Sequence, residues 1–524
     1  MVNVTPYQLD ETIAERLVDI VGSANALRSD AERDEYRDPF WYQEDRSYDS
    51  SLVLFPSTLE ELQAIVALAN EHGVPLWTSS QGRNNGYGGP SARVPGSVLV
   101  SLRQMNRVLE IDRELAYAVV EPGVSWFELR EALDASGNED LWFAVPDLGW
   151  GSVIGNSLDN GVTYAPYGMD FQKLCGFEVL LATGELVRTG FGAQPGNDAW
   201  HIYQRGFGPV LDQMFFQSNY GIVTKAGIWL MRRPESFAPL FFSVPTNDLL
   251  PAAIDLVREW RLDGIARGVP TIQNLVTMVA QFDHTRHLYL RADPTTPEER
   301  LDELARETGL GRWGLRVGAW GDAPIVEHQV ARMKRDWAER IPGGTVVSEG
   351  RYSADEWNAI EKFSEKVQAG IPNLDIIQAT PANIGHLAFS PVLPTRGRYI
   401  VDQIELIGET ISREIGLNHV CALFFPNERS TIMVNSITFD VEDEPTFRRA
   451  YDTVRTLIDE AGRRGYTEYR AHIDLMDTIS DQLSVNDYAY RGLVESIKDA
   501  VDPNGILAAG KYGVWPQRYR GAAE

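Results

Sequence analysis

Short apolar runs alternate with amphipathic segments through the first half of the chain. Residues 52–55 predict a strand, and residues 59–69 carry apolar side chains at helical spacing. Thr58 and Glu61 stand at capping-box spacing before this helix, and Gly73 predicts its end. Further strands are predicted at 74–78, 97–102, 117–120, 177–181 and 185–188. A second capping box, at Ser125 and Glu128, predicts the start of another helix. The pattern indicates an α+β fold rather than a regular doubly wound sheet.

The pattern changes near Arg232-Arg233-Pro234, where the glycine-rich character fades. From there we expect longer helices that begin near Leu249, Ser353, Tyr399 and Pro445, and strands at 420–425 and 432–439. A closing segment from about Asp481 contains a predicted helix and a glycine-rich tail that returns to the first domain. We therefore predict a first domain at 1–235, a second at 236–480, and a returning segment at 481–524.

Composition narrows the classes of function. The 524 residues carry a net charge of −26, which repels nucleic-acid phosphates and anionic lipid surfaces. Two cysteines, Cys175 and Cys421, are too few for a thiolate zinc site or a disulfide framework, so we expect no metal. The first fifteen residues contain no Lys or Arg, and no apolar run reaches 18 residues. We expect a cytoplasmic protein with no nucleic-acid or membrane partner.

Three glycine-dense segments are the strongest local signal. They lie at 82–89, 146–156 and 219–224. The first holds four glycines in eight positions together with Arg83, so its backbone N–H groups can turn towards one anion such as a diphosphate. A flexible surface loop is the alternative for that segment alone. Three such segments together favour a long ligand that approaches the backbone closely.

In this order and spacing, the three segments resemble the vanillyl-alcohol oxidase and 4-cresol dehydrogenase family of FAD enzymes, especially its bacterial eugenol oxidases and 4-alkylphenol oxidases. The resemblance extends to 383–391, 465–472 and 502–517, and it is weakest at 245–349. It implies a two-domain FAD-binding fold, with the flavin domain at 1–235 and 481–524 and an α+β substrate cap at 236–480.

The resemblance also implies the residues that hold FAD. His386 occupies the position of the histidyl bond to the flavin 8α-methyl group, although a lone histidine is otherwise more often a structural residue. The implied cofactor-binding residues are Gly82, Arg83, Asn84, Asn85, Gly86, Gly88, Gly89, Pro122, Ser152, Gly155, Asn156, Gly221, Ile222, Val223, His386 and Lys511.

A phenolate site is implied as well. Tyr87, Tyr469 and Arg470 match the family's phenolate-binding set, which favours the anion of a phenol whose pKa is about 10 in water. Because neighbours on a regular strand point to opposite faces, joint action of Tyr469 and Arg470 requires a bend or bulge there. One core tyrosine and one solvated arginine are the alternative.

Asp147 matches the acidic residue that faces the reacting carbon. It could stabilise positive charge, accept a proton from water or deprotonate a side chain, and the sequence leaves these roles open. A turn cap is the structural alternative. Candidate pocket walls are Tyr164, Tyr167, Phe424 and Met433.

The implied function is a covalent FAD oxidase of para-substituted phenols such as 4-alkylphenols, eugenol-like allylphenols or vanillyl-alcohol-like benzylic alcohols. A hydride leaves the benzylic carbon, a para-quinone methide forms, and O2 is reduced to H2O2. One alternative is a dehydrogenase or hydroxylase that passes electrons to a cytochrome or copper protein, and another is a flavin-binding protein without turnover. We also expect a homo-oligomer, a dimer or larger. The preferred phenol and its product stay open.

Overall fold

The computed structural model describes residues 4–281, 297–378 and 383–520. Its strands are Ala26–Leu27, Leu52–Leu54, Leu76–Ser79, Val98–Ser101, Val108–Asp112, Tyr117–Val120, Leu141–Trp142, Leu174–Leu180, Leu186–Arg188, Ile222–Trp229, Met231–Arg232, Ser236–Val244, Thr271–Asn274, Trp313–Gly321, Val346–Glu349, Tyr352–Ser353, Ile384–Phe389, Val392–Pro394, Val420–Phe424 and Ser430–Asp440. Its α-helices are Glu11–Val21, Asp30–Arg33, Leu59–His72, Trp126–Ala135, Val153–Leu158, Leu250–Leu262, Leu275–Gln281, Glu298–Thr308, Ala323–Arg340, Phe363–Lys366, Asp375–Gln378, Gly397–Glu414, Glu444–Arg464, Met476–Ser480, Val485–Val501 and Gln517–Arg520. Short 3₁₀ turns connect several of them.

The first sheet has four strands, in the order Ala26–Leu27, Leu52–Leu54, Val98–Ser101 and Leu76–Ser79. Its last three strands run parallel, and helix Leu59–His72 makes the crossover between two of them. The predicted capping box is confirmed, because Thr58 accepts from the Glu61 N–H and the Glu61 carboxylate accepts from the Thr58 N–H. Gly73 ends the helix at a φ of 64°, which glycine adopts without strain.

The second sheet is antiparallel and has five strands, in the order Val108–Asp112, Tyr117–Val120, Ile222–Trp229, Leu174–Leu180 and Leu186–Arg188. The predicted hairpin forms its last two strands. Helix Trp126–Ala135, opened by the predicted Ser125–Glu128 capping box, buries its apolar side chains against this sheet. The chain up to Trp229 therefore mixes parallel and antiparallel sheets, as an α+β fold requires.

The third large sheet, the cap sheet, is antiparallel and draws its strands from residues 236–440. Along its main path the order is Val346–Glu349, Ser236–Val244, Trp313–Gly321, Thr271–Asn274, Val420–Phe424, Ser430–Asp440 and Ile384–Phe389. One face packs on the helices Leu250–Leu262, Ala323–Arg340, Gly397–Glu414 and Glu444–Arg464 in a single hydrophobic core. These helices confirm the predicted starts near 249, 399 and 445.

The prediction of a long helix near Ser353 is wrong. Ser353 and Glu356 do form a capping box, but only a 3₁₀ turn, Ala354–Ala359, follows it. The backbone turns extended at Ile360, and Trp357 is buried with its Nε1–H donating to the Ala369 carbonyl at 2.8 Å. A capping box marks where a helix begins and not how far it continues.

The closing segment returns to the first sheet. Leu507 forms a parallel bridge with Leu76, and Lys498, fully buried, donates to the carbonyls of Asn219 and Leu507. Lys498 also pairs with Asp502 at 2.7 Å, so its charge is compensated. The exact domain bounds at 235 and 480 stay predictions. Across the described ranges, no helix is both long and apolar enough to cross a membrane.

Candidate active site

A long cavity, the first cavity, runs between the three glycine-dense segments and the closing segment. Among its lining residues are the predicted Gly82, Arg83, Asn84, Gly89, Pro122, Ser152, Gly155, Asn156, Gly221, Ile222, Val223 and Lys511. Sequence reasoning missed other lining residues, including Ser80, Gln81, Asp159, Gln217, Asn219, Ile473 and Ala508. Most of these residues lie within a few positions of a glycine-dense segment or in the closing segment. Their position next to the predicted cofactor-binding residues is the signal that could have identified them.

Glycine fits closely at two positions in the loops around this cavity. A Cβ at Gly155 would lie 2.2 Å from the Ser80 hydroxyl oxygen, so a larger residue there requires the Ser80 side chain to move. Gly86 has a φ of +80°, and a Cβ on it would lie 3.0 Å from Nε2 of His386. Both glycines therefore let neighbouring protein segments pack closely around the cavity.

Charged groups flank the first cavity. Lys511 lies 3.4 Å from Asp159, and the Tyr512 hydroxyl donates to the same carboxylate at 3.2 Å. Burial alone would raise the pKa of Asp159, but Lys511 and Arg470 outweigh it and the pKa falls below its usual range. Asp159 is therefore an anion that pairs with Lys511, and the charge of Arg470 also favours its ionised form.

A second cavity adjoins the first, with which it shares Arg83, Asn84, Tyr87, Gly151, Asn156 and Arg470. The predicted residues that line it are Tyr87, Asp147, Tyr164, Phe424, Tyr469, Arg470 and Asn85. Pro146, Leu148, Val162, Ile432 and Val434 complete the described wall. A small ligand in the second cavity would therefore contact a long ligand in the first.

Tyr87, Tyr469 and Arg470 form one polar group in the second cavity. The Arg470 guanidinium lies 4.3 Å above the Tyr87 ring, and its Nη2 donates to Asn84 at 2.7 Å. Tyr469 and Arg470 stand in a bend after the isolated bridge between Pro391 and Glu468, which is the distortion that their joint action requires. Both side chains can thus reach the same cavity.

The charge of this group is positive. Burial lowers the pKa of Arg470, but Tyr469, Tyr87 and Asp159 raise it by more than burial lowers it. The guanidinium therefore stays charged. Burial raises the pKa of Tyr87, which therefore keeps its proton and can donate it in a hydrogen bond. A cation with phenolic donors is suited to bind an oxyanion.

Asp147, Tyr164 and Arg316 form a second polar group. The Tyr164 hydroxyl donates to Oδ2 of Asp147 at 2.5 Å, and the Arg316 guanidinium lies 4.3 Å from the Tyr164 ring centre. Oδ1 of Asp147 is buried and has no protein partner within the described chain. Burial raises the pKa of Asp147 above its ordinary value, although Arg316 and the Tyr164 hydrogen bond oppose the rise. One carboxylate oxygen is therefore free to act on a ligand.

His386 lies on the cap strand Ile384–Phe389, against the first glycine-dense segment. Its ring is 4.9 Å from the Phe40 ring, and burial lowers its pKa to about 4. At neutral pH the imidazole is therefore uncharged, with a lone pair on one nitrogen. His386, Gly86 and Gly88 are not among the residues that line the two cavities, although His386 touches the loop that does.

Two predicted pocket residues lie elsewhere. Met433 is fully buried in the hydrophobic core beneath the cap sheet, because strand alternation turns it away from its neighbours Ile432 and Val434, which line the cavity. Its assignment to the pocket wall is wrong. Tyr167 has a φ of 68° in a turn and is not among the lining residues of either cavity. In the described ranges, no cluster of His, Cys, Asp and Glu could hold a metal.

Comparison with known proteins agrees with this arrangement. Residues 50–190 match a family model described as an FAD binding domain. The chain is 31% identical over 500 residues to the flavoprotein subunit of 4-cresol dehydrogenase from Pseudomonas putida, and 94% of each chain is covered. This chain belongs to the vanillyl-alcohol oxidase family of FAD enzymes. It is an FAD-dependent oxidoreductase, and the sequence-based prediction of this family is confirmed.

Solved structures of the vanillyl-alcohol oxidase family extend the likeness to the whole fold. A 4-ethylphenol oxidase from Gulosibacter chungangensis, in complex with isoeugenol, has a TM-score of 0.90 at 32% identity over 98% of this chain and 100% of that chain. A substrate-bound p-cresol methylhydroxylase has a TM-score of 0.88 at 28% identity over 98% of this chain and 99% of that one. The two-domain α+β fold predicted from the sequence is confirmed.

FAD fits the first cavity by the chemistry of its walls. Residues of the glycine-dense loops line this cavity, Arg83 supplies positive charge for phosphates, and Lys511 adds a second cation that is also paired with Asp159. Arg83 also stacks at 4.6 Å on the ring of Trp150. The two adjoining cavities therefore suit a dinucleotide and a small aromatic substrate.

Proposed function

We propose that this protein is a flavin-dependent oxidase of para-substituted phenols, with 4-alkylphenols as the central substrate class. The observation that carries the proposal is the second cavity, where a buried cation and two tyrosines stand in one cluster and a carboxylate in another. Relatives named as a 4-ethylphenol oxidase and a 4-cresol dehydrogenase support it.

FAD would be held by the residues of the first cavity, with the backbone of the glycine-dense loops and Lys511 at its charged parts. When bound, it supplies the acceptor for a hydride from the benzylic carbon. We further propose that His386 bonds covalently to it, because a neutral imidazole lies against the Gly86 loop.

The phenol would bind as its anion. Arg470 supplies a full positive charge, and Tyr87 and Tyr469 supply O–H donors, so the three groups stabilise a phenolate whose ordinary pKa is about 10. Charge on the ring oxygen is conjugated to the para benzylic carbon and favours loss of hydride from it. The quinone methide that remains is electrophilic at that carbon.

Asp147 would act on the para substituent. Its unpartnered Oδ1 can accept a proton from a water that attacks the benzylic carbon, or from the next carbon of the side chain to give an alkene. Tyr164 holds the other carboxylate oxygen and fixes its orientation. Ionised Asp147 is required for either proton transfer.

Removal of the Arg470 charge tests the phenolate site. A charge-assisted hydrogen bond contributes roughly 1.5–3 kcal/mol, so Arg470→Met should slow anaerobic flavin reduction by at least about tenfold. Arg312→Met is the matched control, because Arg312 is also buried but pairs with Glu298 and Asp302 outside both cavities. Stopped-flow reduction within twofold of the wild type would remove Arg470 from the site.

The proposed activity is tested by mixing the yellow protein with 4-ethylphenol under nitrogen and then admitting O2. We expect the flavin colour to bleach, to return with oxygen, and H2O2 to form in step with substrate loss. A flavin that neither 4-ethylphenol nor eugenol nor vanillyl alcohol reduces would rule out phenol oxidation and leave a flavin-binding protein without turnover.

A dehydrogenase that passes electrons to a protein acceptor is the second candidate. The relative from Pseudomonas putida is named as a flavoprotein subunit, which favours an electron-accepting partner for that protein. Reoxidation of the reduced protein at least tenfold faster by a cytochrome c than by air-saturated buffer would favour this reading. A homo-oligomer and a cytoplasmic location stay predictions.

A further inference from the structure

A buried arginine of the cap stands behind the second cavity. Arg316 is the fourth residue of the nine-residue strand Trp313–Gly321 and is only 3% exposed. Its strand neighbours in register are Phe241 and Thr271, and Thr271 is in turn paired with Phe424. Because directly paired residues share a face of a sheet, Arg316 lies on the same face as the cavity-lining Phe424.

Arg316 has unused hydrogen-bonding capacity. Nε and Nη1 are buried and have no protein partner within the described chain, and no described carboxylate lies within 4.0 Å of its guanidinium in an ion pair. A buried charge without compensation is expensive, so a cation at this place needs a nearby anion. Tyr164 separates Arg316 from Asp147, with its ring against the guanidinium and its hydroxyl on the carboxylate.

We infer that Arg316 is a positioning residue that acts across Tyr164 to keep Asp147 ionised in the closed site. This inference rests on the proposed function, in which ionised Asp147 accepts a proton from water or from the substrate side chain. The positive charge of Arg316 and the Tyr164 hydroxyl both favour the carboxylate over the neutral acid. Without them, burial would favour protonated Asp147, which accepts no proton.

The other groups that line this cavity do not duplicate the effect. The apolar cap residues Phe424, Ile432 and Val434 do not titrate. Arg470 and Arg83 are the other cations on the cavity, but Arg470 is engaged with Asn84 and Tyr87, and Arg83 with Trp150. Burial raises the pKa of Tyr87, so its hydroxyl keeps its proton and adds no charge near Asp147. Burial raises the pKa of Asp147 above its ordinary value, and Arg316 with Tyr164 limits this rise.

The first measurement is the pH profile of anaerobic flavin reduction and of product release with 4-ethylphenol. In Arg316→Met the acid limb should move to higher pH, so that turnover at the wild-type midpoint falls about tenfold while the alkaline plateau stays within about threefold. Arg316→Lys should restore most of the wild-type profile. Arg312→Met is the matched control, because Arg312 directly precedes the same strand but pairs with Glu298 and Asp302 outside the cavity.

A second readout does not need turnover. A protonated carboxylic acid has a distinct infrared carbonyl band. In the resting protein, the band that is lost in Asp147→Asn belongs to protonated Asp147. It should appear at higher pH in Arg316→Met, and in Tyr164→Phe if the methionine variant does not fold. Burial raises the pKa of Glu468 well above its ordinary value, so this carboxyl should contribute an unchanged band in every variant.

The outcomes separate the inference from the proposed function. If Asp147→Asn abolishes the acid limb while Arg316→Met, Arg316→Lys and the wild type share one profile and one infrared titration, Arg316 does not act on Asp147. A pH-independent loss in Arg316→Met that lysine does not restore would assign it a merely structural role. If 4-ethylphenol reduces none of the proteins, the proposed function fails, and the infrared titration alone still decides whether Arg316 controls the charge of Asp147.

Discussion

Replacement of His386 with alanine should convert the FAD from covalently bound to fully releasable. The wild type, denatured in acid and centrifuged, should carry its yellow colour in the protein pellet, whereas His386→Ala should leave it in the supernatant. The expectation follows from a neutral imidazole, with a pKa lowered to about 4 by burial, that lies against the Gly86 loop of the flavin cavity. The effect is all-or-none, because the bond is either present or absent.

His328→Ala is the matched control. His328 is exposed on helix Ala323–Arg340 of the cap, away from both cavities, and its loss should leave the flavin in the pellet. Mass spectrometry of tryptic peptides should place the added FAD mass on the peptide that contains His386. Colour that leaves the wild-type protein, or that stays with His386→Ala, would overturn the covalent assignment and leave the fold and the family unaffected.

Local signals were sufficient for much of the flavin domain. The Thr58–Glu61 and Ser125–Glu128 capping boxes each begin a helix through hydrogen bonds within four residues, and both form as predicted. Strand Tyr117–Val120 also has the bounds that its apolar run predicts. In each case the information lies within one element, and tertiary contacts do not override it.

Side-chain direction was harder to predict. The alternation of strand Ser430–Asp440 is regular, but the sequence does not say which face the cavity occupies, so Met433 was assigned to the wrong one. For Tyr469 and Arg470, a shared phenolate site requires a bend in the chain. That bend was predicted from the chemistry of the site, because the local sequence does not indicate it. Direction depends on what packs against a sheet, which is a property of the whole fold.

Arg316 shows the limit most clearly. It lies in the stretch 245–349, where the family resemblance is weakest, and an arginine amid apolar residues in one strand carries no motif. Only the register across Trp313–Gly321, Thr271–Asn274 and Val420–Phe424 brings it to Tyr164 and Asp147. These contacts join residues more than 150 positions apart, and no spacing rule reaches that far.

The substrate itself should give the other large effect. If hydride leaves only after the ring oxygen has become an anion, the hydroxyl must be free and para to the reacting carbon, because only then does conjugation carry its charge there. 4-Ethylphenol should therefore reduce the flavin rapidly under nitrogen, while 4-ethylanisole, which cannot ionise, should leave it oxidised. 3-Ethylphenol can ionise, but it cannot form a para-quinone methide, so it should bind and inhibit without reducing the flavin.

The same panel tests the roles of the two tyrosines. Tyr87→Phe and Tyr469→Phe each remove one O–H donor, which should weaken phenolate stabilisation by about 1 kcal/mol and slow reduction by 4-ethylphenol about fivefold. Each variant should leave the inertness of 4-ethylanisole unchanged, because that compound makes no phenolate for the donors to stabilise. Rapid reduction by 4-ethylanisole or 3-ethylphenol would mean that hydride leaves without a para phenolate. In that case Tyr87, Tyr469 and Arg470 would bind a neutral ring, and the positive charge beside them would need a different explanation.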